Sequence, residues 1–94
     1  KQYPKTSINV LRFYEALIEL YKYAGEYDKA QKILDKSFAI IEPIKEYIPV
    51  IYGKYLLKEA SLKIKEQNIK LAKKYLDMAT KEFKATNNEE PKNE

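Results

Sequence analysis

The chain contains no cysteine, no histidine and no tryptophan, and only two of its 94 residues are glycine. Without cysteine and histidine, the sequence excludes disulfide bonds, thiol chemistry, imidazole catalysis and the usual zinc sites. It also contains no phosphate-binding loop and no nucleophile beside a base, so we expect neither an enzyme nor a cofactor. No apolar run approaches the roughly 18 residues that a membrane-spanning helix needs, so we expect no membrane partner.

Positive charge is concentrated in the third quarter of the chain. The net charge is +4, and residues 54–74 hold seven lysines against Glu59 and Glu66. Basic segments can mark a nucleic-acid surface, but Arg12 is the only arginine, and arginine forks are the side chains that recognise phosphate best. A solvated helix surface has the same lysine-rich composition. We therefore keep a nucleic-acid-binding helical domain only as an alternative.

The segment 23–30 predicts a tight turn that ends one helix and opens another folded back on it. Gly25 can adopt the positive φ that often ends a helix. Asp28 can cap the next helix, and Gln31 three residues later would complete a capping box. Ala30 is then the small residue at which two helices approach closely.

Apolar spacing predicts an all-α chain of four helices, at about 7–24, 28–41, 49–66 and 69–86, followed by a disordered tail at 87–94. Pro43 ends the second helix. The third helix begins either at Pro49 or near Ile44 with a kink at Pro49; we prefer the first, since an interior proline costs about 3 kcal/mol. Asn68 can cap the fourth helix. The predicted buried positions of the second and fourth helices are Ala30, Ile33, Leu34, Ser37, Phe38 and Ile41, and Ile69, Ala72, Tyr75, Leu76, Ala79 and Phe83.

The two halves of the chain resemble each other. A shift of 42 residues superposes the second helix on the fourth, so that Ala30 falls on Ala72 and Leu34 on Leu76. For the first and third helices a shift of 43 keeps residue types better, which makes the second turn, Glu66–Asn68, one residue shorter than the first. The sequence therefore predicts two helical hairpins of one kind in tandem.

The first hairpin resembles a tetratricopeptide repeat, a helix–turn–helix unit that stacks into α-solenoids. The residues that carry this resemblance are Tyr14, Leu17, Tyr21, Gly25, Tyr27, Ala30, Leu34 and Pro43. The period of about 42 exceeds the usual value of about 34, and is similar to the repeats of Rap-type peptide-responsive regulators and of kinesin light chains. An unrelated four-helix bundle with the same periodicity is the alternative.

The resemblance implies that the chain binds a protein or peptide in a groove lined by the first helix of each hairpin. Glu15 and Glu19 stand where chaperone-binding members place a lysine and an asparagine, so a carboxylate-terminated chaperone ligand is disfavoured. The lysines predict an acidic partner, with a purely solvated lysine face as the alternative. The candidate binding residues are Arg12, Glu15, Glu19, Lys22, Tyr23, Lys54, Lys58, Ser61 and Lys65.

We therefore expect a tetratricopeptide-like interaction module, forming the C-terminal part of a larger cytosolic protein. The alternative is a peptide-sensing regulatory domain of a transcription or phosphatase regulator. Two hairpins are fewer than the three that a solenoid usually needs, so some apolar surface should stay uncovered. We expect a second copy of the chain, or the rest of a longer one, to cover it. The candidates for this uncovered surface are Tyr3, Phe13, Leu20, Leu71 and Met78.

Overall fold

A computed structural model describes residues 5–87 and confirms the all-α class. Its helices are α1 (Lys5–Tyr23), α2 (Tyr27–Ile41), α3 (Pro49–Lys65) and α4 (Ile69–Asn87), with a 3₁₀ turn at Glu42–Ile44. The described residues contain no strand. Tyr3 and the predicted tail lie outside the described residues, apart from Asn87 at the end of α4. None of the four helices combines the length and apolar character that crossing a membrane requires.

The chain divides into two compact units between Ile44 and Lys45. In the first unit α1 packs against α2, and in the second α3 packs against α4. Each unit is therefore one helical hairpin. Pro49 occupies the start of α3, which confirms the preferred position of this proline, because its missing N–H is one that a helix start leaves unbonded in any case.

Small residues are buried at matching positions of the two hairpins. Ala30 and Ala72 are both buried, as their spacing predicts. Ser37 is also buried, and its hydroxyl donates a hydrogen bond to the carbonyl of Ile33 at 2.9 Å. Leu11 belongs to the core of the first hairpin with Ile18, Leu34 and Ile41. The buried apolar residues of the second unit are Ile48, Tyr52, Tyr55, Leu56, Ala60, Leu62, Ala72 and Ala79.

Both turns have the same length and the same hydrogen bonds, so the shift of 43 residues is wrong. Three residues separate the helices in each hairpin, Ala24–Glu26 and Glu66–Asn68, and a single offset of 42 relates the two turns. Gly25 has φ of +79°, as predicted, and Gln67 has φ of +64° at the same position. The matching backbone donors and acceptors are Gly25 to Lys22 (3.1 Å), Glu26 to Tyr21 (2.8 Å), Gln67 to Ile64 (2.9 Å) and Asn68 to Lys63 (2.8 Å).

The predicted capping box at Asp28 is wrong, whereas the cap at Asn68 is confirmed. The N–H of Ala30 already donates to the carbonyl of Glu26, so α2 starts before Asp28. Asp28 lies in the first turn, where its charge still favours the helix dipole. The amide of Gln31 donates to Asp35 at 3.0 Å instead. At the start of α4, the side-chain oxygen of Asn68 accepts the N–H of Leu71 at 3.2 Å.

Candidate functional site

The candidate binding residues divide between the two units, five on α1 and four on α3. On α1, Arg12 and Glu19 are exposed, and Glu15 is half-buried. Lys22 forms an ion pair with Glu19 at 3.4 Å. Tyr23, at the end of the helix, is 95% exposed. A groove formed jointly by α1 and α3 stays a prediction.

On α3 the lysine strip consists of Lys54, Lys58, Ser61 and Lys65. At about 100° per residue, these four positions fall within about 60° of one another around the helix axis. Lys54 and Lys65 are exposed, whereas Lys58 and Ser61 are half-buried. The exposed ammonium groups of Lys54 and Lys65 therefore lie on the same side of α3, and the hydroxyl of Ser61 lies between them.

An apolar strip runs along α3 beside these lysines. Val50, Leu57 and Ile64 recur every seven residues and are 43%, 40% and 49% exposed. Leu57 lies about 60° from Lys54 around the axis, so the two strips are adjacent. The α3 surface, by which we mean both strips together, offers apolar side chains and positive charge along one helix.

The offset of 42 residues changes which α3 positions correspond to the candidates on α1. Glu15 and Lys22 match Leu57 and Ile64, and no longer match Lys58. With a shift of 43, Glu15 and Lys22 match Lys58 and Lys65 instead. A change of one residue in the shift moves the matching position by about 100° around the helix axis. Sequence reasoning therefore missed the apolar part of the surface. The spacing of seven residues from Val50 to Ile64 was the signal that could have revealed it.

A buried ion pair lies on α3 away from this surface. Glu59 is 5% exposed, and its carboxylate lies 3.3 Å from the ammonium of Lys63, which also lies 3.3 Å from Glu66. Burial alone would lower the pKa of Lys63, but the charges and hydrogen bonds of Glu59 and Glu66 outweigh it and raise that pKa. Lys63 is thus held by Glu59 of its own helix and by Glu66, the residue that follows the helix. Its charge is neutralised locally, in contrast to the exposed Lys54 and Lys65.

Comparisons with known proteins identify no relative. No protein-family model matches the chain, and neither the curated proteins nor the solved structures contain a match. The tetratricopeptide resemblance accordingly stays a prediction from its residues. Within residues 5–87, no cluster of histidine, cysteine, aspartate or glutamate could hold a metal ion.

Proposed function

We propose that the chain is a non-enzymatic, tetratricopeptide-like interaction module whose α3 surface binds an acidic, amphipathic segment of another protein. The observation that carries this proposal is the apolar strip Val50, Leu57 and Ile64, exposed to solvent beside Lys54 and Lys65. Exposed apolar residues that line up on one side mark interaction surfaces more often than isolated ones do. A cytosolic location is part of the same proposal.

The apolar strip supplies most of the binding free energy. Complete burial of a valine, leucine or isoleucine side chain is worth about 1.5–3 kcal/mol. Because Val50, Leu57 and Ile64 are already more than half covered, covering the rest contributes about 1 kcal/mol each. An exposed ion pair adds only about 0.2–1 kcal/mol. Removing apolar side chains should therefore weaken binding more than removing lysines.

The exposed lysines select the charge of the partner and make binding depend on salt. Lys54 and Lys65 lie eleven positions apart, about 16 Å along the helix at 1.5 Å per residue. Their combined field attracts acidic segments and repels basic ones. Because both side chains are exposed, their contribution is screened over about 10 Å at 0.1 M salt. Affinity for an acidic segment should fall as salt rises.

A selection from random displayed peptides on the intact chain tests this proposal. We expect enriched peptides to combine aspartate or glutamate with leucine, isoleucine or phenylalanine, and to bind less tightly at higher salt. The double variant Leu57→Ser/Ile64→Ser should weaken their binding roughly 30-fold, since about 2 kcal/mol is lost. Lys54→Gln/Lys65→Gln should lower affinity less and flatten its salt dependence.

Leu20→Ser is the matched control, because Leu20 is an exposed leucine (58%) on a helix of the other unit. It should leave peptide affinity unchanged. The proposal fails if selection enriches no peptide, or if the enriched peptides bind the Leu57→Ser/Ile64→Ser variant as tightly as the unaltered chain. Preferential binding of single- or double-stranded nucleic acid over every peptide would favour the nucleic-acid alternative.

A further inference from the structure

One pattern of residue types occurs twice in the second unit, once on α3 and once on α4. The matching pairs, 19 positions apart, are Val50 and Ile69, Lys54 and Lys73, Leu57 and Leu76, Ser61 and Thr80, Ile64 and Phe83, and Lys65 and Lys84. Each pair keeps its residue type, whether apolar, lysine or hydroxyl. The pair Lys58 and Asp77 at the same offset differs in charge. Helix α4 therefore repeats most of the α3 surface.

The apolar residues of this pattern are exposed on α4 as they are on α3. Ile69 and Leu76 are 64% and 41% exposed, although their spacing in the helix predicted that both would be buried, and Phe83 is half-buried. They recur every seven residues, so each lies about 20° from the next around the axis. Lys73 and Lys84 are exposed and lie about 40° and 60° from Ile69, on one side of this strip.

Both apolar strips lie on the same side of the α3–α4 hairpin. Gly53 faces α4, because a Cβ atom there would meet the ring of Phe83. The small residues buried on the same side of α3 and on α4 are Ala60, Ala72 and Ala79. On each helix the strip lies about 50° from these small residues in the same rotational sense. The three-residue turn makes the helices antiparallel, and on an antiparallel pair the same rotation away from the contact leads to the same side.

A groove lined with apolar side chains therefore runs between α3 and α4, and lysines follow both of its edges. We call hairpin groove the surface formed by Val50, Leu57, Ile64, Ile69, Leu76 and Phe83. Because the helices are antiparallel and Gly53 lies against Phe83, Lys54 lies within about one helical turn of the level of Lys84. Lys65 lies within about one turn of the level of Lys73. These exposed lysines form two pairs, about 16 Å apart along the groove.

The spacing of the groove favours a helical occupant over an extended one. The apolar residues of each helix lie about 10.5 Å apart along its axis, which is also the rise of seven residues in a partner helix. Side chains on one face of an extended strand lie about 6.6 Å apart, so a strand aligned with Val50 and Ile64 would have no side chain level with Leu57. The described residues also contain no strand whose edge could pair with an extended backbone.

The exposed apolar residues of a second copy of this chain match the groove poorly. Phe13 and Leu20 of α1 are 60% and 58% exposed, which confirms the sequence expectation. The residues three and four positions from each are Asn, Val, Ala, Leu and Tyr, and none is acidic. The groove of a second copy would bring lysines against lysines, which repel. Leu71 and Met78, expected to be uncovered as well, are half-buried.

We infer, resting on the function proposed above, that an acidic amphipathic α-helix of another protein lies along the hairpin groove as a third helix. Its apolar side contacts both strips. Acidic side chains on both of its flanks face the two lysine pairs, which a helix with acids on one flank only would leave half uncompensated. A helix of about 15 residues covers the roughly 21 Å from Val50 to Ile64.

Two synthetic peptides of identical composition and about 21 residues, rich in leucine and glutamate, test the helical conformation. In the helix-patterned peptide, leucines are spaced alternately three and four residues apart with glutamates on both flanks; in the strand-patterned peptide, each leucine is two residues from the next. By fluorescence anisotropy we expect the helix-patterned peptide to bind the intact chain at least about 10-fold more tightly, and by circular dichroism to gain helicity on binding. A proline at its centre should lower its affinity by at least about 10-fold, because an interior proline breaks a helix.

Reversing the charge of the α4 edge tests the groove separately from the α3 surface. Lys73→Glu/Lys84→Glu should weaken binding of the helix-patterned peptide about 10-fold, because two attractive contacts become repulsive. The matched control is Lys74→Glu/Lys81→Glu, which changes the net charge equally on the same helix. Lys74 and Lys81 are exposed but lie about 140° and 120° from Ile69, so this control should weaken binding less than about 3-fold. If circular dichroism shows that Lys73→Glu/Lys84→Glu loses helicity, Lys73→Gln/Lys84→Gln replaces it.

The possible outcomes separate the groove from the proposed function. Equal affinity for the two peptides, or an equal effect of Lys73→Glu/Lys84→Glu and its control, overturns the inference, while loss of binding in Leu57→Ser/Ile64→Ser still supports the proposed function. A chain that binds neither peptide also overturns the inference, and the display selection then decides the proposed function. Self-association that the helix-patterned peptide reverses in sedimentation equilibrium would assign the groove to a second copy and overturn it as well.

Discussion

The contact between Gly53 and Phe83 sets how closely α3 approaches α4. A Cβ atom built on Gly53 would lie 2.6 Å from Cε1 and 2.8 Å from Cζ of the Phe83 ring, well inside the favourable carbon separation of about 3.5–4.0 Å. In an open helix interior, Gly→Ala would stabilise by about 1 kcal/mol. Adding a methyl group to a filled contact costs about 1–3 kcal/mol. We therefore expect Gly53→Ala to lower the free energy of unfolding by up to about 2 kcal/mol.

Phe83→Leu provides the background that isolates this clash. Leucine lacks the two ring atoms that lie within 3.0 Å of the added Cβ, while it keeps an apolar side chain against α3. In that background Gly53→Ala should stabilise by about 0.5–1 kcal/mol. Urea denaturation of all four proteins, followed by circular dichroism, measures both effects. If the two substitutions add to within about 0.5 kcal/mol, as independent sites do, the close approach of these helices is refuted.

Two further predictions concern the turns and the buried ion pair. Gln67→Gly should stabilise the fold by roughly 1 kcal/mol in thermal denaturation, since Gln67 is a non-glycine residue at positive φ. Gly25→Val should destabilise the fold, because Gly25 has positive φ at the same position of the first turn. A change in stability of the same sign in both variants would refute the shared geometry of the two turns. Lys63→Met should cost about 2–3 kcal/mol at neutral pH, because it leaves the buried charge of Glu59 without this ammonium. The pKa of Lys63 is higher in the folded state than the unfolded value of about 10.4, so its contribution is complete below that pH and disappears as pH rises through the folded pKa. The difference in unfolding free energy between the unaltered chain and Lys63→Met should shrink over that range, and a constant difference would contradict this.

Helix boundaries could be predicted from the sequence because they depend on nearby residues. Pro49 marks the start of α3 and Asn68 the start of α4, through a missing donor in one case and a side-chain cap in the other. The Asp28 cap failed for an equally local reason. The backbone hydrogen bonds of the Gly25 turn bring the chain into α2 at Tyr27, before the aspartate can act as a cap.

Exposure of the apolar residues could not be predicted, because it depends on what packs beside each helix. Ile69 and Leu34 both occupy the predicted apolar side of an amphipathic helix, yet one is 64% exposed and the other fully buried. The same limit hid the apolar part of the α3 surface. Lysine spacing identified Lys54 and Lys65, but periodicity alone could not show that Leu57 and Ile64 stay 40% and 49% exposed in the described part of the chain.

Nuclear magnetic resonance of the nitrogen-labelled chain, titrated with an acidic peptide from the display selection, tests the proposed binding surface most directly. The account predicts that the largest chemical-shift changes occur at Lys54, Leu57, Ser61, Ile64 and Lys65, and that they diminish at the same peptide concentration when salt is raised. Changes concentrated on α1, α2 or α4, with α3 unaffected, would contradict it.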